Sequence, residues 1–388
     1  MPTVFNVGGE QRVVSALCNE LIKKYNVSLL LFDNRYKEDY KLYNLDKKIK
    51  IYYINEYFNF SHKLCRKIRN INSNYGFLKA FPIINKTLIK YSFPFNEVLK
   101  ELNRIQPDII IGVAGEFNLL ASLIKCKIPK IKTIAWQHSN FDAYFNTKGR
   151  RHYNEKKLFC NMMKNIDKYI VLTKIDNEKM KKEFNINSEY IYNIKSFSCD
   201  KKANLDSHQF ISVGRFDEVK RFDLLIEAYK IYLKANPTSD WTLKIIGDGD
   251  TRYKLEKLIK NYNLESKIFL PGYKSNIIEE YLNSSIYIMT SKWEGFPMII
   301  SECMELGLPI ISFDIDVMKE FIANSNTGIL VESGNINKLA NCMDELSKNK
   351  KLRETIARNE QQKIKELSPN EILQKWGRIF EELEKNEN

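Results

Sequence analysis

Ile286-Tyr287-Ile288-Met289-Thr290-Ser291-Lys292-Trp293-Glu294-Gly295-Phe296-Pro297-Met298-Ile299-Ile300-Ser301-Glu302 is the stretch whose reading decides the fold. Its first five residues are a short apolar run of strand type. Its last five carry helical spacing, and Pro297 suits a first helical position, where a missing N–H costs nothing. Strand, tight loop and apolar helix make one βα unit.

The same unit recurs outward in both directions. Buried strands are expected at residues 209–213, 242–246, 267–270, 286–290, 309–313 and 328–331, with helices at 222–236, 252–262, 277–282, 298–306 and 336–348. In the first half, strands are expected at 27–32, 49–54, 108–113, 132–136 and 169–173, with helices at 11–24 and 97–105. Strands alternating with helices predict an α/β fold with parallel sheets. A chain of 388 residues exceeds one ordinary core, so two domains are expected. The polar stretch 196–207 reads as a linker between domains at 1–195 and 208–368, and a last helix is expected over 370–383.

Apolar residues at 44% and charged residues at 28% describe a globular chain. The seven cysteines are scattered and form no C-x-x-C pair, which argues against a disulfide framework or zinc ribbon and fits a reducing cytoplasm. The start carries no secretory leader pattern, and no apolar run approaches the roughly 18 residues of a membrane span. Net charge is uneven: residues 1–200 carry +15 and residues 201–388 carry −2 of the total +13. A basic half suits an anionic surface or acceptor, or is simply lysine-rich surface. No nucleic-acid module is present. Residues 58–96 are basic and aromatic. They are expected to be helical with the aromatics turned inward; the alternative is an acceptor or membrane surface.

The chemistry-bearing residues sit after strands. Glu294 and Glu302 bracket the Gly295-Phe296-Pro297-Met298 turn. Free N–H groups at the start of that helix favour an anion. Glu302 lies about 7–8 Å along the helix axis, the length of a diphosphate. Sugar, two phosphates and ribose make a ligand of that shape. Gly214-Arg215-Phe216-Asp217-Glu218-Val219-Lys220-Arg221 follows a strand, where open α/β sheets bind ligands. Arg215 can grip a phosphate bidentately, and Lys220 adds a point charge. Gly8-Gly9 before the first helix reads as a phosphate or sugar approach, or as an ordinary turn. His138, just past a strand end, reads as a donor to a substrate hydroxyl or as a structural histidine. Gly247, Gly249 and Tyr273 lie in strand-end loops suited to a base and ribose. Asp314-Ile315-Asp316 spells D-x-D but reads as turn chemistry, so no metal site is expected.

Together these motifs resemble a retaining glycosyltransferase of the GT-B fold, glycosyltransferase family 4. Glu294–Glu302 matches its E-x7-E signature, Gly214-Arg215-Phe216 with Lys220-Arg221 its diphosphate loop, Gly8-Gly9-x-x-Arg12 its N-terminal glycine loop, and Gln137-His138-Ser139-Asn140 its mid-chain histidine. The resemblance implies two Rossmann-like domains facing across a cleft, with a last segment, 369–388, returning to the first domain. It implies Arg215, Lys220, Glu294 and His138 as catalytic. Gly8, Gly9, Gly214, Gly247, Gly249, Tyr273, Gly295, Phe296, Pro297, Met298 and Glu302 are assigned to the donor and nucleotide. It implies metal-independent transfer of a hexose or N-acetylhexosamine from a UDP-sugar, with Glu294 on the sugar and Glu302 on the ribose. The acceptor is expected to be a glycan or lipid-diphosphate-linked sugar of bacterial surface polysaccharide, lipopolysaccharide or capsule, reached from the cytoplasmic face of the membrane. Other readings are a phosphorylase, a nucleotide-sugar epimerase, or a non-catalytic accessory subunit. One departure stands out. Only seven residues precede Gly8, so the first strand is expected to be missing or very short, leaving the glycine loop without its anchor.

Overall fold

The computed structural model describes residues 1–54, 58–150, 152–195, 197–274, 276–322 and 326–385. The chain divides into two units, Met1–Ile194 with Pro369–Asn388, and Lys195–Ser368.

Among its described residues the second unit has one parallel sheet of six strands. In chain order these are β7 (Gln209–Val213), β8 (Thr242–Ile246), β9 (Ile268–Phe269), β10 (Ile286–Met289), β11 (Ile310–Phe313) and β12 (Ile329–Val331), after six strands in the first unit. Their spatial order is β12-β11-β10-β7-β8-β9. The chain runs outward from β7 through β9, then returns to β10 on the other side of β7. That reversal is the switch point at which doubly wound sheets bind ligands. β10 and β11 are buried along their whole length, as parallel strands covered on both faces must be. The helices Phe222–Ala235 and Ile336–Lys348 cover the sheet with Tyr229, Tyr232, Leu339 and Met343, against Phe210, Ile288 and Phe313. The stretch read as a linker is hydrogen-bonded into this unit. Ala203 N donates to Leu306 O at 2.9 Å and Asn204 N to Leu282 O at 2.8 Å.

The first unit holds β1 (Ser28–Leu31), β2 (Lys50–Tyr53), β3 (Ile109–Val113), β4 (Lys132–Trp136), β5 (Lys168–Val171) and β6 (Ser188–Tyr190). All pairings are parallel, but β1-β2 stands apart from β3-β4-β5-β6. Among the described residues no strand precedes Gly8. Met1 instead takes a strand-like position. Its nitrogen donates to Leu30 O at 3.3 Å, and Phe32 N donates to Met1 O at 3.2 Å, the bonding of a parallel partner opposite Leu31. Behind Met1 a groove opens between Ser28–Leu30 of β1 and Ile109–Val113 of β3, floored by Leu102, Phe117, Leu120 and Ile124. The final helix, Pro369–Lys385, belongs to this unit. Its Trp376 ring meets Trp136 at 5.3 Å and its Phe380 ring meets Tyr25 at 5.2 Å.

Residues 58–96 are helical, over Phe60–Tyr75 and Pro82–Lys90. Asn59 and His62 form a capping box at the start of the first helix. The inward packing of the aromatics does not hold for most of them. Phe93 and Phe95 are buried, whereas Phe60, Tyr75, Phe77 and Phe81 are exposed. The inner face of the helix Phe60–Tyr75 is polar instead. Arg69 is fully buried between Glu116 at 2.6 Å and Glu155 at 3.0 Å, and Asn72 accepts from Leu78 N.

Candidate functional site

The loops after β7 and β10 meet at the switch point. Lys292 N donates to Val219 O at 2.8 Å, and Thr290 Oγ1 donates to Lys220 O at 2.8 Å. These two bonds bring Lys220 Nζ to 2.6 Å from Glu294 Oε1, with both side chains largely buried. Asp217 shapes the same loop: its Oδ1 accepts from Val219 N at 3.0 Å and Lys220 N at 3.1 Å. The roles of Asp217 and Thr290 do not follow from motif spacing. The one local signal is an acidic residue three positions before a strand-end lysine, which is ordinary turn chemistry. Arg215 is not drawn into the pair. Its side chain is exposed and held by Asp217 Oδ2 at 2.9 Å.

The glycine loops nest on one another. Gly247 N donates to Gly272 O, and Gly214 N to Ile246 O. Gly247 adopts φ 143°, and a Cβ there would lie 1.9 Å from Gly214 O. Gly249 adopts φ 152°, and a Cβ there would lie 2.5 Å from Phe216 O. No other residue type fits either position. Tyr273 follows with an exposed ring.

The helix Met298–Leu306 has the expected bounds, with Pro297 as its N-cap rather than its first helical residue. Pro297 leaves that position with extended backbone, ψ 115°, so the first turn begins at Met298. Phe296 and Met298 are buried, and Phe296 packs edge-on against Phe321 at 5.3 Å. Their side chains therefore serve the core, leaving the backbone of Gly295–Met298 as the part available to a ligand. The first N–H groups of a helix have no acceptor within it. Glu302 is buried in the second turn. Asp314 and Asp316 both approach Lys319, at 3.7 and 4.0 Å.

The first unit holds Gly8, Gly9 and His138. Gly8 is the N-cap of the helix Gly9–Leu21, and its N–H donates to Tyr43 Oη at 2.9 Å. His138 packs its ring on Trp136 at 4.1 Å. Its Nε2 is buried with no hydrogen-bond partner among the described residues. Burial pulls its pKa down to about 3, so the ring is neutral. A second feature of this unit has no counterpart among the sequence motifs. A hollow at the ends of β3 and β4 is lined by Glu10, Glu116, Ser139, Tyr144, Arg150 and His152. Ala114, at its rim, adopts φ 66°, a strained value for alanine. Burial pushes the Glu10 carboxyl upward.

Residues 194–363 match the model of the family described as Glycosyl transferases group 1. The amylovoran biosynthesis glycosyltransferase AmsD of Erwinia amylovora is 26% identical, covering 97% of this chain and 97% of its own. The poly(ribitol-phosphate) alpha-N-acetylglucosaminyltransferase of Staphylococcus aureus is 27% identical over 87% of this chain and 70% of its own. Among solved structures, a mutant of S. aureus TarM in complex with fondaparinux, alpha-GlcNAc-glycerol and UDP superposes with a TM-score of 0.76. It is 20% identical and covers 98% of each chain. These matches support a glycosyltransferase. The chain has the GT-B fold, α/β with parallel sheets, and its residues 194–363 are similar to the group 1 glycosyl transferases.

Proposed function

We propose that the protein is a retaining glycosyltransferase moving a hexose or N-acetylhexosamine from a UDP-sugar to an acceptor of bacterial surface glycan assembly. The observation that carries this reading is the Lys220–Glu294 pair at 2.6 Å, held at the switch point beside the start of the helix Met298–Leu306. A departing nucleoside diphosphate needs fixed positive charge, and charge already in position lowers the barrier of such a step more than any other single effect. Lys220 supplies it in place, and Arg215 adds a second cation when it turns from Asp217. Glu294 then faces the sugar hydroxyls, and Glu302 the ribose. His138, in the first unit, is neutral with an unpaired Nε2, which suits a hydrogen-bonding group for a sugar hydroxyl rather than an acid. The Lys220 and Arg215 charges and the helix start carry the role that a metal plays in other nucleotide-sugar enzymes, so transfer proceeds without one.

The acceptor is a glycan, polyol-phosphate or lipid-diphosphate-linked sugar. The basic first half supports an anionic acceptor and contact with the cytoplasmic face of the membrane. Support for the glycan class comes from relatives that act in amylovoran biosynthesis and on poly(ribitol-phosphate). The hollow bearing Glu10, Tyr144 and Arg150 has the mixture of carboxylate, hydroxyl and cation that sugar and phosphate groups need.

The test is incubation with a panel of UDP-sugars and poly(ribitol-phosphate) or undecaprenyl-diphosphate-linked acceptors, with and without EDTA. UDP release should need both substrates and persist in EDTA, and the product should keep the donor's anomeric configuration by NMR. An inverted product would sink the retaining assignment. Loss in EDTA with recovery in manganese would reinstate Asp314 and Asp316. In a separate incubation of glycan with inorganic phosphate and no UDP-sugar, formation of sugar 1-phosphate would mark a phosphorylase.

A further inference from the structure

The helices Phe60–Tyr75 and Pro82–Lys90 are amphipathic in the wrong sense for a surface helix. A helix at the surface of a globular protein turns its apolar stripe to the core and its polar face to water. Here Arg69, Asn72 and Ser73 are the buried side chains of the first helix: Arg69 bonds Glu116 and Glu155, Asn72 Oδ1 accepts from Leu78 N, and Ser73 Oγ donates to Asn70 O, while the second helix buries Asn85 beside Ile89. The outward stripe of the first helix carries Phe60, Leu64, Ile71 and Tyr75, at helical spacing. The second helix adds Ile83 and Ile84. Of the fourteen large apolar side chains exposed among the described residues, nine lie between Phe60 and Tyr91. Ile83, Tyr75 and Phe60 are 81%, 80% and 79% exposed, which leaves almost their whole surface without a protein partner. An apolar patch this concentrated marks an interaction surface.

The charge says what lies opposite. Residues 58–96 contain seven lysines and arginines and not one aspartate or glutamate. Lys63, Lys67 and Lys86 are exposed among the apolar side chains. A basic face with aromatic and aliphatic side chains is the combination that binds in the headgroup region of an anionic bilayer, by burying apolar area and drawing acidic lipid. A protein partner with an acidic rim offers the charge but not a broad apolar plane reaching both helices.

We infer that the face formed by the helices Phe60–Tyr75 and Pro82–Lys90 docks on an anionic lipid bilayer. This deepens the membrane contact proposed above by giving it a defined surface. It does not depend on the transfer reaction. Among the described residues no helix is long and apolar enough to cross a membrane, so the contact is interfacial.

The experiment is co-sedimentation of the full chain with vesicles of equimolar phosphatidylglycerol and phosphatidylethanolamine, and with pure phosphatidylcholine. Neither assay contains donor, so failure here is separate from failure of the glycosyltransferase reading. The expected result is retention on the anionic vesicles, weakened by added salt, and little retention on phosphatidylcholine. The double variants Ile83→Ser/Ile84→Ser and Lys63→Glu/Lys67→Glu should each reduce retention roughly tenfold. Circular dichroism should leave both folded, because the changed side chains are exposed. No retention on anionic vesicles overturns the inference. So does equal retention on phosphatidylcholine, or a self-associated chain that the isoleucine variant turns to monomer, which would assign the face to a second copy.

Discussion

Lys220 Nζ and Glu294 Oε1 stand 2.6 Å apart, although 74 residues of chain separate them. Their loops are locked together by the Lys292–Val219 and Thr290–Lys220 hydrogen bonds, so the pair is set by backbone rather than by chance rotamers. Under the proposed reading, the ammonium exchanges part of that contact for a diphosphate while the carboxylate turns to sugar hydroxyls.

Replacing Lys220 with Ala should lower kcat/KM for UDP release by about 10²–10³-fold, the usual cost of losing one preorganised charge. Glu294→Gln should lower it by a similar order. Because the two act as a unit, the double variant should lose much less than the product of the single losses. Multiplicative losses would show that the pair is not coupled.

Gly247→Ala should destabilise the second unit by about 2–4 kcal/mol, since the new Cβ collides with Gly214 O and φ 143° is barred to alanine. Chemical denaturation measures this. A change below about 0.5 kcal/mol would mean that the loop moves freely aside.

How far these positions are legible in the sequence follows from their physics. Gly214, Lys220 and Glu294 can be placed on strand-end loops because those loops follow buried strands, and buried parallel strands are continuous apolar runs. The helix Ala114–Lys127 escapes a reading by pattern because it is buried almost all round and shows no amphipathic period. β6 escapes because three partly exposed residues carry no pattern. Phe60, Tyr75, Phe77 and Phe81 face the other way from expectation because spacing shows that a helix has two faces, but not which of them looks inward. The buried Arg69, which reverses that helix, reads in sequence as one more surface cation. The hollow around Glu10 and Arg150 joins residues 140 positions apart and has no local signal.

Arg69 bridges Glu116 and Glu155 in the first unit with no exposure of its own side chain. Arg69→Ala would strand two neighbouring carboxylates, and should cost about 3–5 kcal/mol of stability. Arg69→Lys should recover only part, because a single ammonium cannot present the guanidinium fork to both partners. Thermal melts of the three proteins give the order directly.

His138 has a folded pKa of about 3, against 6.5 for a free side chain. The unfolded chain therefore takes up this proton first. The neutral ring's contribution is complete above about pH 6.5 and declines as pH falls toward 3. The His138 ring signals should not titrate between pH 8 and 5 in NMR. In His138→Gln the loss of melting temperature from pH 6.5 to 5 should be shallower than in the parent. An ordinary histidine titration would contradict the buried, neutral assignment.

The most direct measurement is UDP-dependent stabilisation together with turnover in the parent chain, Lys220→Ala and Glu302→Ala. A ligand bound only by the folded state raises the melting temperature in proportion to its affinity. A donor site built on Lys220, Glu294 and Glu302 predicts a clear UDP shift in the parent and a reduced one in both variants. It also predicts UDP release from the UDP-sugar that falls by about 10²-fold or more in Lys220→Ala, with all three chains folded. Parent-like UDP shifts and turnover in both variants would contradict it.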